Sequence, residues 1–170
     1  MNRFDIILKK PVPVPARVQK KKFQYYIGMD LGYKHPTDII LGHVEKEAFI
    51  VDRSFTKVVT SRVQLINEIK HILEITELNF DYRYLKGKTS YEPNFLNVWE
   101  NLPFNCRQAN TTRSWRDEII HSLAWFNFPG KDYYLKDNFK EAYLLAVSLF
   151  FDDLNADRVK GKTDLYEISL

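Results

Sequence analysis

The chain has 170 residues, a formal net charge of +3, and hydrophobic and aromatic fractions of 45% and 15%. This composition indicates one globular domain and argues against intrinsic disorder, while so small a charge neither requires nor excludes a nucleic-acid partner. The single cysteine, Cys106, excludes a disulfide framework and a thiolate metal site. No apolar run approaches the roughly 18 residues of a membrane span, and the N-terminus lacks a signal-peptide pattern, so we expect an intracellular protein with no membrane partner.

Residues 1–23 are predicted to form a basic, proline-rich arm or linker. Prolines alternate with valines from Pro11 to Pro15, which favours a stiff, extended spacer. Lysines and arginines crowd this segment, in which Asp5 is the only acid. Such an arm either lies on a polyanion or is a solvated linker.

The folded domain is predicted to span residues 24–153, with a C-terminal tail at 154–170. Its first part contains three apolar segments with strand-like composition, which indicate an antiparallel meander. These strands are predicted at Tyr25–Gly32, Thr37–Val44 and Ala48–Phe55, with a turn at Lys46 and Glu47.

A helix is predicted at 61–77. Ser61 and Gln64 have the spacing of a capping box at its start. Apolar residues then recur near helical spacing, and we expect them to face the core. They are Val63, Ile66, Ile69 and Leu73.

The second half of the domain is predicted to alternate strands and helices. We expect a strand at 79–86, a loop or short helix at 91–102, a short strand at 104–109, a helix at 113–126 and a buried helix at 138–153. Three antiparallel strands followed by this alternation are typical of a ribonuclease H-like α/β fold. It has a mixed sheet of about five strands with flanking helices.

Asp30 is the first candidate for a functional residue, because it lies in an apolar strand between Gly28 and Gly32. A carboxylate in such a place is costly unless a cation or a hydrogen-bond donor meets it. In this fold the last helix brings further acids to the first strand. Glu141 abuts the apolar part of that helix, and Asp137 lies four residues earlier on the same face. Converging carboxylates hold the Mg²⁺ or Mn²⁺ ions of phosphodiester cleavage.

Each of these acids also has a second interpretation. Asp137 is well placed as a helix N-cap, and Glu141 as a solvated surface acid. Asp38 either faces Asp30 from the second strand or serves as a turn residue.

The segment from Gly28 to Gly32 resembles the C-terminal nuclease domain of phage terminase large subunits. His35–Ile40, the hairpin ending at Phe49–Asp52 and the segment Asp137–Ala146 resemble it as well, so that the likeness spans residues 24–153. It implies a metal-dependent, largely sequence-independent endonuclease that cuts viral DNA for packaging in the cytoplasm of a bacterial host.

Position by position, the resemblance assigns catalytic and metal-binding roles to three acids. Asp30 matches the first-strand acid, Glu141 the last-helix acid and Asp137 an accessory acid. The family's middle acid falls at or near Lys86, where this chain departs from the pattern.

The family normally carries an ATPase ahead of the nuclease. The two Gly-Lys-Thr segments, at 87–89 and 161–163, lack the earlier glycine of a phosphate-binding loop. The resemblance therefore implies that an ATPase domain or subunit, and the portal, are partners and not parts of this chain.

Double-stranded DNA is the implied substrate, and basic side chains near the expected site are candidates for binding its phosphates. These candidates are Lys34, His35, Lys86, Lys88, Arg113 and Arg116.

Three other functions fit parts of the pattern. A weakened nuclease fold would serve as a DNA-binding or docking module, which Lys86 favours. A junction resolvase of the same fold would act as a dimer. An actin-like or sugar-kinase-like phosphate binder shares the Gly-x-Asp-x-Gly motif at Gly28–Gly32, but such proteins are much longer.

Overall fold

The computed structural model describes residues 23–78, 81–136 and 139–169, with side chains as far as Asp157. The predicted arm, apart from Phe23, lies outside the described residues, and so does the predicted site residue Asp137. Within the described part, no helix is both long and apolar enough to cross a membrane.

Five strands form one mixed sheet in the order β3-β2-β1-β4-β5. Their bounds are β1 Tyr25–Asp30, β2 Pro36–Glu45, β3 Ala48–Val58, β4 Leu85–Thr89 and β5 Asn105–Gln108. The first three strands are antiparallel, whereas β4 runs parallel to β1 and β5 parallel to β4. This mixed sheet with flanking helices confirms the predicted ribonuclease H-like fold class.

The predicted meander and its turn are both present. Lys46 and Glu47 have φ angles of 53° and 64°, so two consecutive left-handed residues reverse the chain between β2 and β3.

The described residues form four helices beside the sheet, α1 Arg62–Ile75, α2 Arg113–Leu123, α3 Lys131–Lys136, which packs on the last helix, and α4 Lys140–Ser169. Short 3₁₀ turns occur at Tyr82–Tyr84, Pro93–Phe95 and Val98–Asn101. The Ser61 hydroxyl caps α1 by accepting from the Gln64 amide at 3.1 Å, while the Gln64 side chain accepts from the Thr60 amide at 3.0 Å. The predicted capping at Ser61 is therefore present, with Gln64 reaching one residue further back.

The prediction of which α1 residues face the core is partly wrong. Val63 is 69% exposed, because it lies in the first turn on the side away from the sheet. The buried face is Leu65, Ile69, Ile72 and Leu73. Those positions recur at the helical period and pack on the sheet.

Two other boundaries differ from the prediction. The strand predicted at 79–86 begins only at Leu85, because the Asp81 carboxylate accepts from the Arg83 amide at 2.9 Å and caps a 3₁₀ turn instead. The last helix, predicted to end at 153, continues to Ser169 through the segment expected to be a tail. Helix α3 was not predicted.

Apolar clusters cover both faces of the sheet. One face packs against α1 and the 3₁₀ turns, and the other packs against α2 and α4. Helix α4 approaches β1 so closely that a Cβ at Gly28 would collide with the backbone of Ala142 and Ala146. This close approach brings the first turn of α4 to the carboxyl end of β1.

Candidate metal centre

Asp30 and Glu141 lie next to each other where β1 ends and α4 begins. Asp30 is the last residue of β1 and Glu141 is in the first turn of α4. Their carboxyl groups are within hydrogen-bonding reach of each other. The Glu141 side chain is 19% exposed, so the pair is largely shielded from water.

The electrostatics of the pair favour binding of a proton or a cation. Burial, followed by repulsion from the Glu141 carboxylate, raises the pKa of Asp30 to about 7. The charge of Asp38 raises it further, whereas a hydrogen bond from the Ser90 hydroxyl opposes the shift. Two carboxylates held this close cannot both stay ionised at low cost without a neighbouring positive charge.

Asp38 supplies a third acid beside the pair. It is the cross-strand partner of Asp30 in the β1–β2 register, and it is only 8% exposed. Its carboxylate accepts from the Thr56 hydroxyl at 3.0 Å. Of the two interpretations of Asp38, the structure supports the one in which it faces Asp30.

Ser90, not Lys86, stands beside Asp30 on the β4 side. Thr89 pairs with Met29 in the parallel register, and the Ser90 amide donates to the Met29 carbonyl at 3.0 Å. The Ser90 hydroxyl accepts from the Leu31 amide at 2.9 Å and lies 3.4 Å from an Asp30 oxygen. Sequence reasoning missed Ser90, because the register between two parallel strands depends on packing across a long connection.

Lys86, which the resemblance places at or near the family's middle acid, does not lie beside Asp30. Lys86 pairs with Tyr26, four residues before Asp30 along β1. Its amino group binds Asp153 at 2.8 Å, and Asp153 also accepts from the Tyr26 hydroxyl at 2.6 Å. Lys86 thus lies further down the sheet and is held against α4.

Arg116 contacts the pair directly. It lies in the first half of α2, and its Nε donates to a Glu141 oxygen at 2.9 Å. Its side chain is 39% exposed. The centre therefore has three clustered carboxylates, of Asp30, Asp38 and Glu141, and one guanidinium at its edge.

Lys88 belongs to a neighbouring polar network. Its amino group lies 2.9 Å from the Ser148 hydroxyl and 3.4 Å from Asp152, which also binds Arg107 at 2.8 Å. Burial lowers the pKa of Lys88, whereas the charge of Asp152 opposes that shift. Lys88 lies on β4 and is 8% exposed, so both lysines of this strand are held by α4.

The other predicted DNA contacts lie at the surface. Lys34 and His35 are in the loop that follows β1, and Arg113 is exposed at the start of α2. The Lys34 backbone has a φ of 63°, and its amide donates to the Val59 carbonyl at 3.1 Å, which fixes the loop against the end of β3.

The side chains at this site have the chemistry that a hard divalent cation requires of its ligands. The carboxylate oxygens of Asp30 and Glu141 are the ligand type that Mg²⁺ and Mn²⁺ prefer, and their mutual repulsion would be relieved by a cation. Among the residues that the structure describes, however, no three His, Cys, Asp or Glu side chains are arranged as a ready metal-binding group.

No family model and no curated protein matches the sequence. Among solved structures, the chain is similar to the large terminase of a thermophilic bacteriophage, with 12% identity and a TM-score of 0.45 over 62% of this chain and 27% of that one. It is also similar to the P22 large terminase nuclease domain, with 12% identity and a TM-score of 0.40 over 63% of this chain and 61% of that one. A Ppx/GppA family member from Aquifex aeolicus matches with 8% identity and a TM-score of 0.40 over 61% of this chain and 40% of that one. The chain thus spans less than two thirds of each of these proteins.

Proposed function

We propose that this protein is a metal-dependent DNA endonuclease of the viral packaging type, which cuts double-stranded DNA largely without regard to sequence. The observation that carries the proposal is the contact between Asp30 and Glu141. These residues come from opposite ends of the domain, and their meeting at the carboxyl end of β1 concentrates negative charge at one point.

Asp30 and Glu141 would hold a Mg²⁺ or Mn²⁺ ion, with Asp137 as a candidate for a further ligand. When bound, such an ion activates water and stabilises the leaving oxygen of a phosphodiester. The protein's own contribution is to keep the two carboxylates together and partly desolvated. Ser90 steadies Asp30 through its hydroxyl, and Arg116 steadies Glu141 through Nε.

DNA would bind through phosphate contacts around this centre. Lys34 and His35 are in the loop after Asp30, and Arg113 is exposed on the helix that carries Arg116. Phosphate contacts position a duplex without reading its bases, which suits cutting with little sequence preference.

Nicking of supercoiled plasmid in Mn²⁺ tests the proposal. We expect nicking by the wild type and its loss in Asp30→Asn and Glu141→Gln. Glu118→Gln removes an exposed charge on α2 and is a matched control that should retain activity. Wild-type protein that binds DNA but leaves the plasmid intact with Mn²⁺ and with Mg²⁺ would contradict the proposal.

A second candidate function is a DNA-binding or docking module built on a weakened nuclease site. The observation that favours it is Ser90, since the β4 position beside Asp30 carries a hydroxyl and adds no carboxylate to those of Asp30, Asp38 and Glu141. DNA binding that is independent of divalent metal, without cutting, would support this alternative.

A further inference from the structure

Arg116 occupies a carboxylate oxygen that the proposed cation would need. Its Nε lies 2.9 Å from Oε1 of Glu141, and Glu141 is at the same time within hydrogen-bonding reach of Asp30. Glu141 therefore bridges the guanidinium on one side and the acid of β1 on the other. Only 19% of its side chain is exposed.

The charges explain why an arginine is useful at this point. Asp30, Asp38 and Glu141 bring three acidic groups together, and Arg116 adds one permanent positive charge. Without a metal, that charge offsets part of the repulsion. A divalent cation offers twice the charge and prefers the same oxygen atoms. The guanidinium and the cation would compete for Glu141.

The position of Arg116 allows its side chain to move away from Glu141. Its side chain is 39% exposed and comes from α2, whereas the acids come from β1, β2 and α4. A rotation of this side chain would free Glu141 without moving the sheet or α4. The released guanidinium would point to the surface where DNA phosphates would lie, and its fork of donors matches a phosphate.

We propose that Arg116 is an exchangeable latch on the metal site. In the metal-free protein the Arg116 guanidinium binds the Glu141 carboxylate. When a divalent cation and DNA bind, the guanidinium releases that carboxylate and binds a phosphate of the DNA backbone instead. This inference rests on the proposed function and adds a positioning residue that makes metal binding and DNA binding support each other.

Calorimetric titration of the full chain with Mn²⁺, without DNA, tests the first half of the exchange. Arg116→Gln is expected to bind Mn²⁺ about fivefold more tightly than the wild type, because the cation no longer displaces an ion pair. Arg113→Gln removes the same charge from an exposed position three residues earlier in α2, and it should stay within about twofold of the wild type. The latch is overturned if Arg116→Gln binds Mn²⁺ no better than the wild type, or if Arg113→Gln tightens binding equally.

DNA affinity tests the second half. With saturating Ca²⁺ in place of Mn²⁺ to avoid cleavage, Arg116→Gln should bind a short duplex about fivefold more weakly and with a salt slope smaller by about 1. An unchanged affinity and slope would overturn the phosphate contact. If the wild type binds no Mn²⁺ at all, the proposed nuclease function fails together with the latch, whereas wild-type binding that Arg116→Gln leaves unchanged defeats the latch alone.

Discussion

Gly28 of β1 lies directly beneath Ala142 of α4, so close that a methyl group at Gly28 would overlap the Ala142 carbonyl oxygen. The two residues neighbour the two principal acids, since Asp30 is two positions after Gly28 and Glu141 immediately precedes Ala142. The contact between strand and helix backbones therefore sets the distance between the carboxyl groups. Gly28, which has no side chain, therefore allows the close approach that positions the candidate metal centre.

Gly28→Ala is expected to damage both stability and the centre. The added methyl group would meet backbone atoms of Ala142 and Ala146, which no side-chain rotation can move aside. Overpacking of this kind costs about 1–3 kcal/mol of unfolding free energy. Displacement of α4 should also weaken Mn²⁺ binding. Urea unfolding and calorimetric titration measure the two effects.

Gly87→Ala is the matched control for this substitution. A Cβ at Gly87 would meet the side chains of Phe104, Cys106 and Ile27, on the sheet face away from α4. Stability should fall, but Mn²⁺ affinity should not. Equal loss of Mn²⁺ binding in both variants would show that general destabilisation, and not the position of α4, governs the centre.

Asp30 should make the metal-free protein less stable as the pH rises. Its pKa is raised from 3.8 to about 7 in the folded state, so the folded protein holds a proton that the unfolded chain releases. The stabilising contribution is complete below about pH 4 and is lost as the pH rises through about 7. Asp30→Asn should therefore be more stable than the wild type by about 1–3 kcal/mol at pH 8 in EDTA.

Denaturant unfolding at pH 5 and pH 8 measures this difference. The gain from Asp30→Asn should shrink at pH 5, and Mn²⁺ should stabilise the wild type at pH 8 but not the variant. A variant that is less stable than the wild type at both pH values would contradict the raised pKa. Glu118→Gln, which changes an exposed acid, controls for the loss of a charge.

The positions of Asp30 and Glu141 could be predicted because each rests on a local pattern. Asp30 interrupts an apolar strand between glycines, and Glu141 directly precedes the longest apolar run of the chain. The strand is buried on both faces and the apolar part of the helix is buried around its circumference, as expected for elements inside a domain. In the structure the two pack on each other at Gly28 and Ala142, which brings their boundary residues together. The position of the fourth strand beside the first was expected from the ribonuclease H-like fold, and the parallel β1–β4 pairing confirms it.

Pairings that depend on register could not be predicted. Lys86 and Ser90 are four positions apart on one segment, and only the β1–β4 pairing decides which of them meets Asp30. Parallel strands joined through a long connection carry no turn that fixes their register. The burial of Lys88 against Ser148 depends on the same register together with the placement of α4.

Ser90→Asp is expected to strengthen the metal site. The substitution adds a fourth carboxylate to the centre, at the position where the Leu31 amide already donates to the Ser90 side chain. Because Ser90 is 3% exposed, the added charge should cost about 1–3 kcal/mol of stability without metal. Mn²⁺ should restore that stability, and its affinity should rise about tenfold. Ser90→Asn has a similar size without the charge, and it should lose stability without gaining Mn²⁺ affinity.

Substitution of an exposed lysine and of a buried, hydrogen-bonded lysine should have different effects on DNA binding. Lys34→Gln should weaken binding and lower the salt slope by about 1, because its amino group lies in the surface loop that follows Asp30. Lys88→Met should leave both unchanged, because its amino group is buried against Ser148 and Asp152. It should instead change the free energy of unfolding, since it alters a buried polar contact between β4 and α4. Fluorescence anisotropy over a salt series separates the two, and a reduced slope for Lys88→Met would place this lysine on the DNA path.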